Sequence, residues 1–572
     1  MRHDGENGPM RSRTRLKRWI LLVPALVAMA AGALAASPQL AAQNVRATRA
    51  AEGGVLSSTP YLWNSDVNAL QGQASSSHTL AGAADGASPS EVKTRLEPSR
   101  AESTHRVLPM ALHHYPEATR RYLPLIGTRY PPKPASVGAH MFRVVPSHGL
   151  AWARAAGVQW ARLDAFNWAD IEPVRTEPPT YHWETVDEES LVNATAARLE
   201  TIAIVRHTPV WAQKVVGYAC GPIKQGALDE FGQFLAALVE RYSAPPFQVH
   251  YWELWNEPDV DPSLVADGNS PFGCWGDLAD EQYYGGGYYA TMLQVAYPAI
   301  KAADPQAQVL LGGLLLDCDP SAGLSSFDLA EAVPQPAEKA DGACQVGRFF
   351  EGILANGGGD YLDIVGFHGY PPYDGSLQQD LQFGNWDGRG GIVMGKIDYL
   401  RDMLSAYGLD KPLMHTEGAL VCPEWSPALC SVPGPAFYEA QADYVVWLYI
   451  RNWAAGVQAT AWYTWEGPGW RHGGLLDENQ NPRPAYWALH FLTNELARYS
   501  YTGPVTLYPS LQGYEFSVTG KRVWVLWAPD EVPHSVTLPA GTVRVFDKYG
   551  GDITPPGDTL SVSSPVYVEL IP

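Results

Sequence analysis

Two short apolar runs in this chain end on glutamate. The first, Tyr251-Trp252-Glu253-Leu254-Trp255-Asn256-Glu257-Pro258-Asp259, stops at an Asn-Glu-Pro turn, and the second is Leu413-Met414-His415-Thr416-Glu417-Gly418. Alternation and aromatic content from Val249 to Trp255 predict a buried strand, which Pro258 ends because proline has no N–H to give to a ladder. Glu257 and Glu417 therefore stand at strand C-termini, where a barrel of alternating strands and helices keeps its reactive groups. A single glutamate at a strand end says little. Two at one barrel mouth can divide the roles of proton donor and nucleophile, provided their surroundings push the two pKa values apart. Glu253 belongs to the first run but lies four residues deeper, and reads as a buried, hydrogen-bonded support.

Such a pair needs a barrel to bring it together. Short apolar runs at Val137–Phe142, Gln159–Asp164, Thr201–His207, Val249–Trp255, Val309–Leu315, Ile364–His368, Pro412–Thr416 and Gln458–Tyr463 alternate with amphipathic stretches such as Leu228–Tyr242, Tyr288–Ala303, Met394–Tyr407, Phe437–Ala454 and Pro484–Leu496. Eight strands, each followed by a helix, predict an α/β chain with a (β/α)8 TIM barrel over residues 136–498. The span exceeds a barrel of about 250 residues by roughly 100, and loops such as Gly217–Gly226 and Pro258–Gln282 take up the excess. On this count Glu257 follows the fourth strand and Glu417 the seventh. After Tyr499 the pattern changes to short alternating runs at Tyr514–Val518, Lys521–Trp527, Ser535–Leu538, Val543–Asp547, Leu560–Val562 and Val566–Ile571, set apart by Gly, Pro and Asp turns. They predict a small C-terminal antiparallel β-sandwich over residues 499–572, packed on the barrel as a support.

Trp255-Asn256-Glu257-Pro258 followed by Thr416-Glu417 resembles the retaining glycoside hydrolases of clan A, and the likeness runs from Val137 to about Asn494. Arg162 in Trp160-Ala161-Arg162-Leu163-Asp164 matches the clan's second-strand arginine beside the nucleophile, and His368-Gly369-Tyr370 matches its His-x-Tyr on strand six. Trp465 in Tyr463-Thr464-Trp465-Glu466 matches the tryptophan under the reacting sugar. Within the clan the texture is most similar to family 39, with family 5 cellulase-like enzymes next. Phe166-Asn167-Trp168, Ile171-Glu172-Pro173, Thr208-Pro209-Val210-Trp211 and Ile300-Lys301-Ala302-Ala303-Asp304-Pro305 carry that likeness, although several families share these motifs.

The resemblance implies hydrolysis of β-linked O-glycosides by double displacement, on an oligo- or polysaccharide substrate and without cofactor or metal. Glu257 is then the acid/base and Glu417 the nucleophile. Arg162 and Tyr370 steady Glu417, His368 shares the mouth, Asn256 bonds the sugar's 2-hydroxyl, and Trp465 floors the site. His207 and Trp211, after the third strand, line the same cleft, and two or three of Trp168, Tyr373, Trp386, Trp425 and Trp470 stack on sugars. Plainer readings stand beside these: a structural salt bridge for Arg162, a satisfied strand-end histidine for His368, a turn cap for Asn256. Rival functions are an inactive carbohydrate-binding barrel and a transglycosylase.

The rest of the chain says where such a protein would work. Polar residues and then Arg11, Arg13, Arg15, Lys17 and Arg18 precede an apolar run from Trp19 to Ala36, with a small-residue site at Ala33-Leu34-Ala35. This predicts a secretory signal over residues 1–35, with an uncleaved N-terminal membrane anchor as the alternative, since about 18 apolar residues just span a bilayer. If the signal is cleaved, no stable membrane insertion is expected. Residues 36–135, rich in Ala, Ser, Gly and Pro, predict a low-complexity, largely disordered linker. The 572 residues carry a net charge of -20, and removing residues 1–35 takes away six basic and two acidic side chains, leaving -24. With no compensating basic stripe, nucleic acid is excluded as a partner. Oligomeric state is not encoded legibly.

The cysteines are Cys220, Cys274, Cys318, Cys344, Cys422 and Cys430. An even count in an exported chain predicts disulfides, and no spacing suits zinc. Among the fifteen connectivities six cysteines allow, proximity favours Cys422–Cys430, Cys220–Cys274 between neighbouring loops and Cys318–Cys344 across one long loop.

Overall fold

The computed structural model describes residues 136–265, 267–320, 344–382, 386–423 and 426–571. The signal-like segment, the linker and Trp425 lie outside these residues. Eight parallel strands, β1 (Ser136–His140), β2 (Trp160–Asn167), β3 (Glu200–Arg206), β4 (Tyr251–Leu254), β5 (Gln308–Leu314), β6 (Ile364–Gly369), β7 (Leu413–Gly418) and β8 (Ala459–Trp462), pair in chain order, and β8 pairs with β1 to close the barrel. All eight expected strands are present. Helices Leu228–Tyr242 and Pro484–Leu496 have the expected limits, and Gly286–Ala303, Ile392–Ala406 and Pro435–Ala454 differ from expectation by one or two residues at their ends, where helices fray.

Alternate residues of a strand face opposite ways, which divides the barrel into two cores. Trp160, Ile202, Leu310, Ile364, Met414 and Ala459 pack inside as a layer joined by Tyr251. Their outward neighbours, such as Ala161, Ala203, Trp252, Leu311 and Val365, join the core under the helices. Positions two and four residues further along each strand then rise toward the C-terminal mouth on the inner face.

Irregularities adjust that alternation where it matters. Phe367 pairs with His415 but His368 pairs with Glu417, so Thr416 is an extra residue in β7. Without this bulge Glu417 would share the outward parity of His415. With it, Glu417 turns inward beside His368, as bulges near functional sites re-aim side chains. A similar extra residue in β5 falls at Gly312-Gly313. A Cβ on Gly313 would lie 2.0 Å from His368 Nε2 and one on Gly312 would lie 2.4 Å from the Leu254 carbonyl oxygen, so both positions need glycine for β4 and His368 to approach.

The C-terminal strands form a five-stranded sheet, β9 (Ser500–Pro504), β10 (Gln512–Val518), β11 (Lys521–Trp527), β13 (Thr542–Asp547) and β15 (Val566–Leu570), in the order 13-15-11-10-9. A two-stranded sheet pairs β12 (His534–Thr537) with β14 (Thr559–Val562). One face of the larger sheet, including Phe516, Val523, Trp527 and Tyr567, shares the main barrel core, where Trp527 stacks on Trp447 at 5.6 Å. Glu531 accepts from Ser376 and from the Leu377 amide at 2.8 Å, tying this region to the loop after β6. β9 is an addition to the expected strands. Its pattern runs exposed to half-buried, with no apolar stripe to reveal it.

The three disulfides are Cys220–Cys274, Cys318–Cys344 and Cys422–Cys430, the pairs that proximity favours. All three secure loops at the barrel mouth, and such bonds persist in oxidising compartments. Among the described residues no helix is long and apolar enough to cross a membrane.

Candidate active site

The inner face of β2 supplies the centre of the site. Arg162, fully buried one step above Trp160, donates from Nε to Glu253 Oε2 at 2.7 Å and from Nη2 to Glu253 Oε1 at 3.0 Å. Nη2 also reaches Asn256 Oδ1 at 2.7 Å, and Nη1 donates to Glu417 Oε1. Burial opposes the guanidinium charge, but the carboxylates of Glu253 and Glu417 outweigh it and raise the Arg162 pKa. Glu253 is also tied to the barrel by the Gly313 amide at 2.8 Å. His140, pushed down to about 3 chiefly by burial, is neutral and presents Nδ1 to Arg162 at 3.2 Å.

Glu257 leaves β4 on a left-handed turn: Trp255 has φ 68° and Glu257 φ 45°. Such backbone costs about 1–3 kcal/mol and persists only where the surroundings fix it. Here the Glu257 amide donates to Gly313 O at 3.0 Å, and its carbonyl accepts from Gly273 at 3.1 Å. Two residues on, buried Asp259 accepts from the amides of Leu315 and Leu316 at 2.9 and 2.8 Å. Lys396 completes this support from below, donating to Leu315 O at 2.6 Å and His368 O at 2.9 Å.

The two mouth carboxyls meet across His368. Its Nδ1 lies 2.8 Å from Glu257 Oε1 and 3.5 Å from Glu417 Oε2, and one oxygen from each glutamate lies with the ring nitrogen in a group spanning no more than 4.8 Å. Tyr370 donates its hydroxyl to Glu417 Oε2. Burial raises both carboxyls, but unequally. Glu257 is raised well above its ordinary value, by burial first and then by the charges of Glu417 and Asp259. For Glu417 the Arg162 cation and the Tyr370 hydroxyl oppose burial. Two like charges this close oppose each other's ionisation. Of the two, Glu257 is pushed up further, so it is the one that favours the protonated form. His368, driven well below its ordinary pKa by burial and next by Arg162, stays neutral, and Tyr370 is held as a hydroxyl by burial and by the Glu417 charge.

Among the described residues, Glu257, His368 and Glu417 form the group that offers three metal-ligand atoms. Its donors are committed, however: Glu417 to Arg162 and Tyr370, Glu257 to His368. A guanidinium bound to one of the three opposes a second cation there.

Other expected site residues fall elsewhere. Trp465 does not floor the pair. It is 0% exposed, its indole nitrogen donates to Gly149 O at 3.3 Å, and it meets Tyr486 of helix Pro484–Leu496 at 5.9 Å. The Trp465 amide bonds His140 O at 2.8 Å, which folds the segment across the end of β1 and sets the indole against Gly149 and Tyr486. The next inward position, just past the end of β8, belongs to Tyr463, whose ring packs against His140 at 4.8 Å and Tyr370 at 6.1 Å. Asn256 has both ends engaged, Oδ1 by Arg162 and Nδ2 by Pro271 O at 3.0 Å. Trp211 donates to Glu172 O at 3.0 Å and packs on Trp168, making no bond to either mouth glutamate. His207 is depressed by burial and then by Arg206, and lies near Asp164 without bonding either glutamate. Trp168, Tyr373 and Trp386 are buried in packing, whereas half-buried Trp470 meets Tyr370 at 5.0 Å. Tyr463 and His140 join the site without a motif to announce them, although their inward parity, two steps beyond Ala461 and Gly138, is available from alternation alone.

The eightfold barrel is shared with solved structures of glycoside hydrolases. The structure is similar to a family 39 glycoside hydrolase from the gut symbiont Bacteroides cellulosilyticus WH2, with TM-score 0.55 and 18% identity over 77% of this chain and 81% of that one. It also matches a family 51 α-L-arabinofuranosidase from Bifidobacterium longum (TM-score 0.48, 13% identity, 78% and 98% covered) and a family 30 endoxylanase from Clostridium papyrosolvens C71 (TM-score 0.47, 11% identity, 77% and 97% covered). No family model and no curated protein matches the sequence.

Proposed function

We propose that the protein is a retaining β-glycoside hydrolase acting outside the cytoplasm on β-linked oligo- or polysaccharides. The observation that carries this reading is the approach of the two carboxyls at one mouth, one oxygen of Glu257 lying within 4.8 Å of one oxygen of Glu417. Retaining pairs stand about 5–5.5 Å apart and inverting pairs about 6.5–9.5 Å, because the latter must admit a water. The unequal treatment of the two acids, with Glu257 raised further than Glu417, supports the same division of labour. In the first step ionised Glu417 attacks the anomeric carbon while Glu257 gives its proton to the departing oxygen. In the second, Glu257 takes a proton from water, which attacks the same carbon and returns Glu417 as carboxylate. Arg162 and Tyr370 aim the Glu417 oxygens, and neutral His368 gives Glu257 a partner without adding charge. Asn256 reaches the 2-hydroxyl by exchanging one of its present partners. Its β preference rests on the resemblance in sequence, and export is supported by the N-terminal segment together with the three disulfides.

The test is turnover of aryl β-glycosides and a polysaccharide panel by wild type, Glu257→Gln and Glu417→Gln. We expect wild-type hydrolysis and losses of several orders of magnitude in both variants. Equal, near-zero turnover in all three, with sugars still bound, would instead identify a carbohydrate-binding barrel, and products joined to an added acceptor would identify a transglycosylase.

A further inference from the structure

The mouth carries a second charged pair that the two-step scheme leaves unused. Trp160 and Arg162 face inward on β2, as Ile202, Ile204 and Arg206 do on β3; β2 bulges between Leu163 and Phe166, and Asp164, in that bulge, stands close enough to His140 and Arg162 for its charge to act on both. Asp164 and Arg206 therefore crown adjacent strands above Arg162. They pair at 3.3 Å and remain open to the mouth, with side chains 38% and 21% exposed. By the same parity, Phe142 stands above His140 and Gly138 at the end of β1. It is 52% exposed and meets Tyr463 edge-on at 6.4 Å. An aromatic left half-uncovered beside a charged pair is a poor packing choice and a suitable surface for a sugar ring, whose C–H face stacks while its hydroxyls bond alongside.

This wall stands on the nucleophile's side. The Asp164 charge bears on Glu417, behind burial, Arg162, Tyr370 and Glu253, and on Tyr463, after burial and Glu417, but it is absent from the charges that dominate at Glu257. The ring that becomes bonded to Glu417 is the glycone, so groups gathered around Glu417 face that ring and not the leaving group.

We propose that Asp164 and Arg206, flanked by Phe142 and Tyr463, recognise the glycone, and that their paired charges select a neutral, hydroxyl-rich sugar over a uronic acid. The inference rests on the glycosidase reading for the word glycone alone; the selectivity is a binding property. Asp164 accepts from neighbouring hydroxyls and Arg206 donates to others. A sugar carboxylate would meet Asp164 and Glu417, and Arg206, already neutralised, has no free charge to offer it. The repulsive element is as much a part of the specificity as the attractive one.

The experiment is calorimetric titration of the Glu257→Gln protein, which cannot use up its ligand, with neutral β-linked disaccharides ending in glucose, galactose, xylose or mannose and with the matched glucuronide and galacturonide. At least one neutral sugar is expected to bind ten times or more tighter than either uronide. Adding Asp164→Asn should weaken that sugar at least fivefold and narrow its advantage over the uronides, because Arg206 is then an unbalanced cation. Phe142→Ala, at an exposed position that does not threaten folding, should weaken it at least threefold with Tm unchanged. Equal or stronger uronide binding, no neutral binding, or neutral binding untouched by both substitutions would overturn the proposal. Turnover of aryl glycosides by wild type separates the two failures. Hydrolysis without this selectivity sinks only the glycone wall, and selective binding without hydrolysis sinks only the enzyme reading.

Discussion

Glu253 grips Arg162 through two near-parallel hydrogen bonds of 2.7 and 3.0 Å, and so aims the remaining guanidinium nitrogen at Glu417. Both side chains are fully buried. Four residues separate Glu253 from Glu257, yet the deeper one holds Arg162 and the outer one, in the proposed scheme, carries the proton. Breaking a buried pair by removing one partner costs about 3–5 kcal/mol, because the other charge stays behind. We expect Glu253→Gln to lose stability on that scale in urea unfolding and to lower kcat more than tenfold while KM changes less. An unchanged unfolding midpoint would show that Arg162 does not depend on Glu253.

The Tyr370 hydroxyl bonds the charged form of Glu417 and lowers its pKa against the push of burial. Removing it favours the protonated acid. A hydrogen bond to a charged group is worth about 1.5–3 kcal/mol, and about 1.4 kcal/mol corresponds to one pH unit. In Tyr370→Phe the acidic limb of kcat/KM should therefore move up by about one unit or more, because Glu417 must be ionised to attack. A limb that stays in place would assign it to another group.

Lys396 acts on the other carboxyl. Its pKa is lowered to about 8 by burial, with Asp317, Asp259 and Glu257 opposing, and its charge in turn lowers the pKa of Glu257. Replacing it with methionine removes that influence, so Glu257 should keep its proton to higher pH and the alkaline limb of kcat/KM should move upward. A downward move would contradict the assignment of Glu257 as the protonated member.

Glu495, on helix Pro484–Leu496, is pushed up to about 7, first by burial and then by the neighbouring Glu569 of β15. The unfolded carboxyl titrates near 4.5. Between these values the folded state binds the extra proton, so stability falls as pH rises from about 4.5 to about 7, by up to roughly 3 kcal/mol. Glu495→Gln should flatten that part of the Tm–pH curve and raise Tm above pH 7. A variant curve parallel to wild type throughout would exclude Glu495 as the source.

Alternation made the barrel legible. Each strand ends near the expected residue because inward and outward apolar residues both had cores to fill. The pairing of Glu257 with Glu417 was legible for the same reason, as were the disulfides, whose partners lie in loops that must meet at one mouth. The bulge at Thr416 was not, because a single extra residue leaves the apolar pattern intact while reversing the parity of Glu417 and Gly418. Without that bulge Glu417 would face the helices. Trp465 matched a motif, whereas its backbone bond to His140 decided its direction and left Tyr463 at the mouth. Asp164 lay in the Arg162 motif without a role assigned to it, and Arg206 carried no motif. Parity with Ile202 marks Arg206 as inward-facing, whereas Asp164 sits in the β2 bulge and is placed by its pairing with Arg206.

The division of roles between Glu257 and Glu417 is tested most directly by the stereochemistry of the first product. Proton NMR during hydrolysis of an aryl β-glycoside that the enzyme accepts should show the β-anomer of the released sugar first, with the α-anomer growing only at the rate of mutarotation. Initial release of the α-anomer would mean a single displacement by water, and would contradict the assignment of Glu417 as nucleophile.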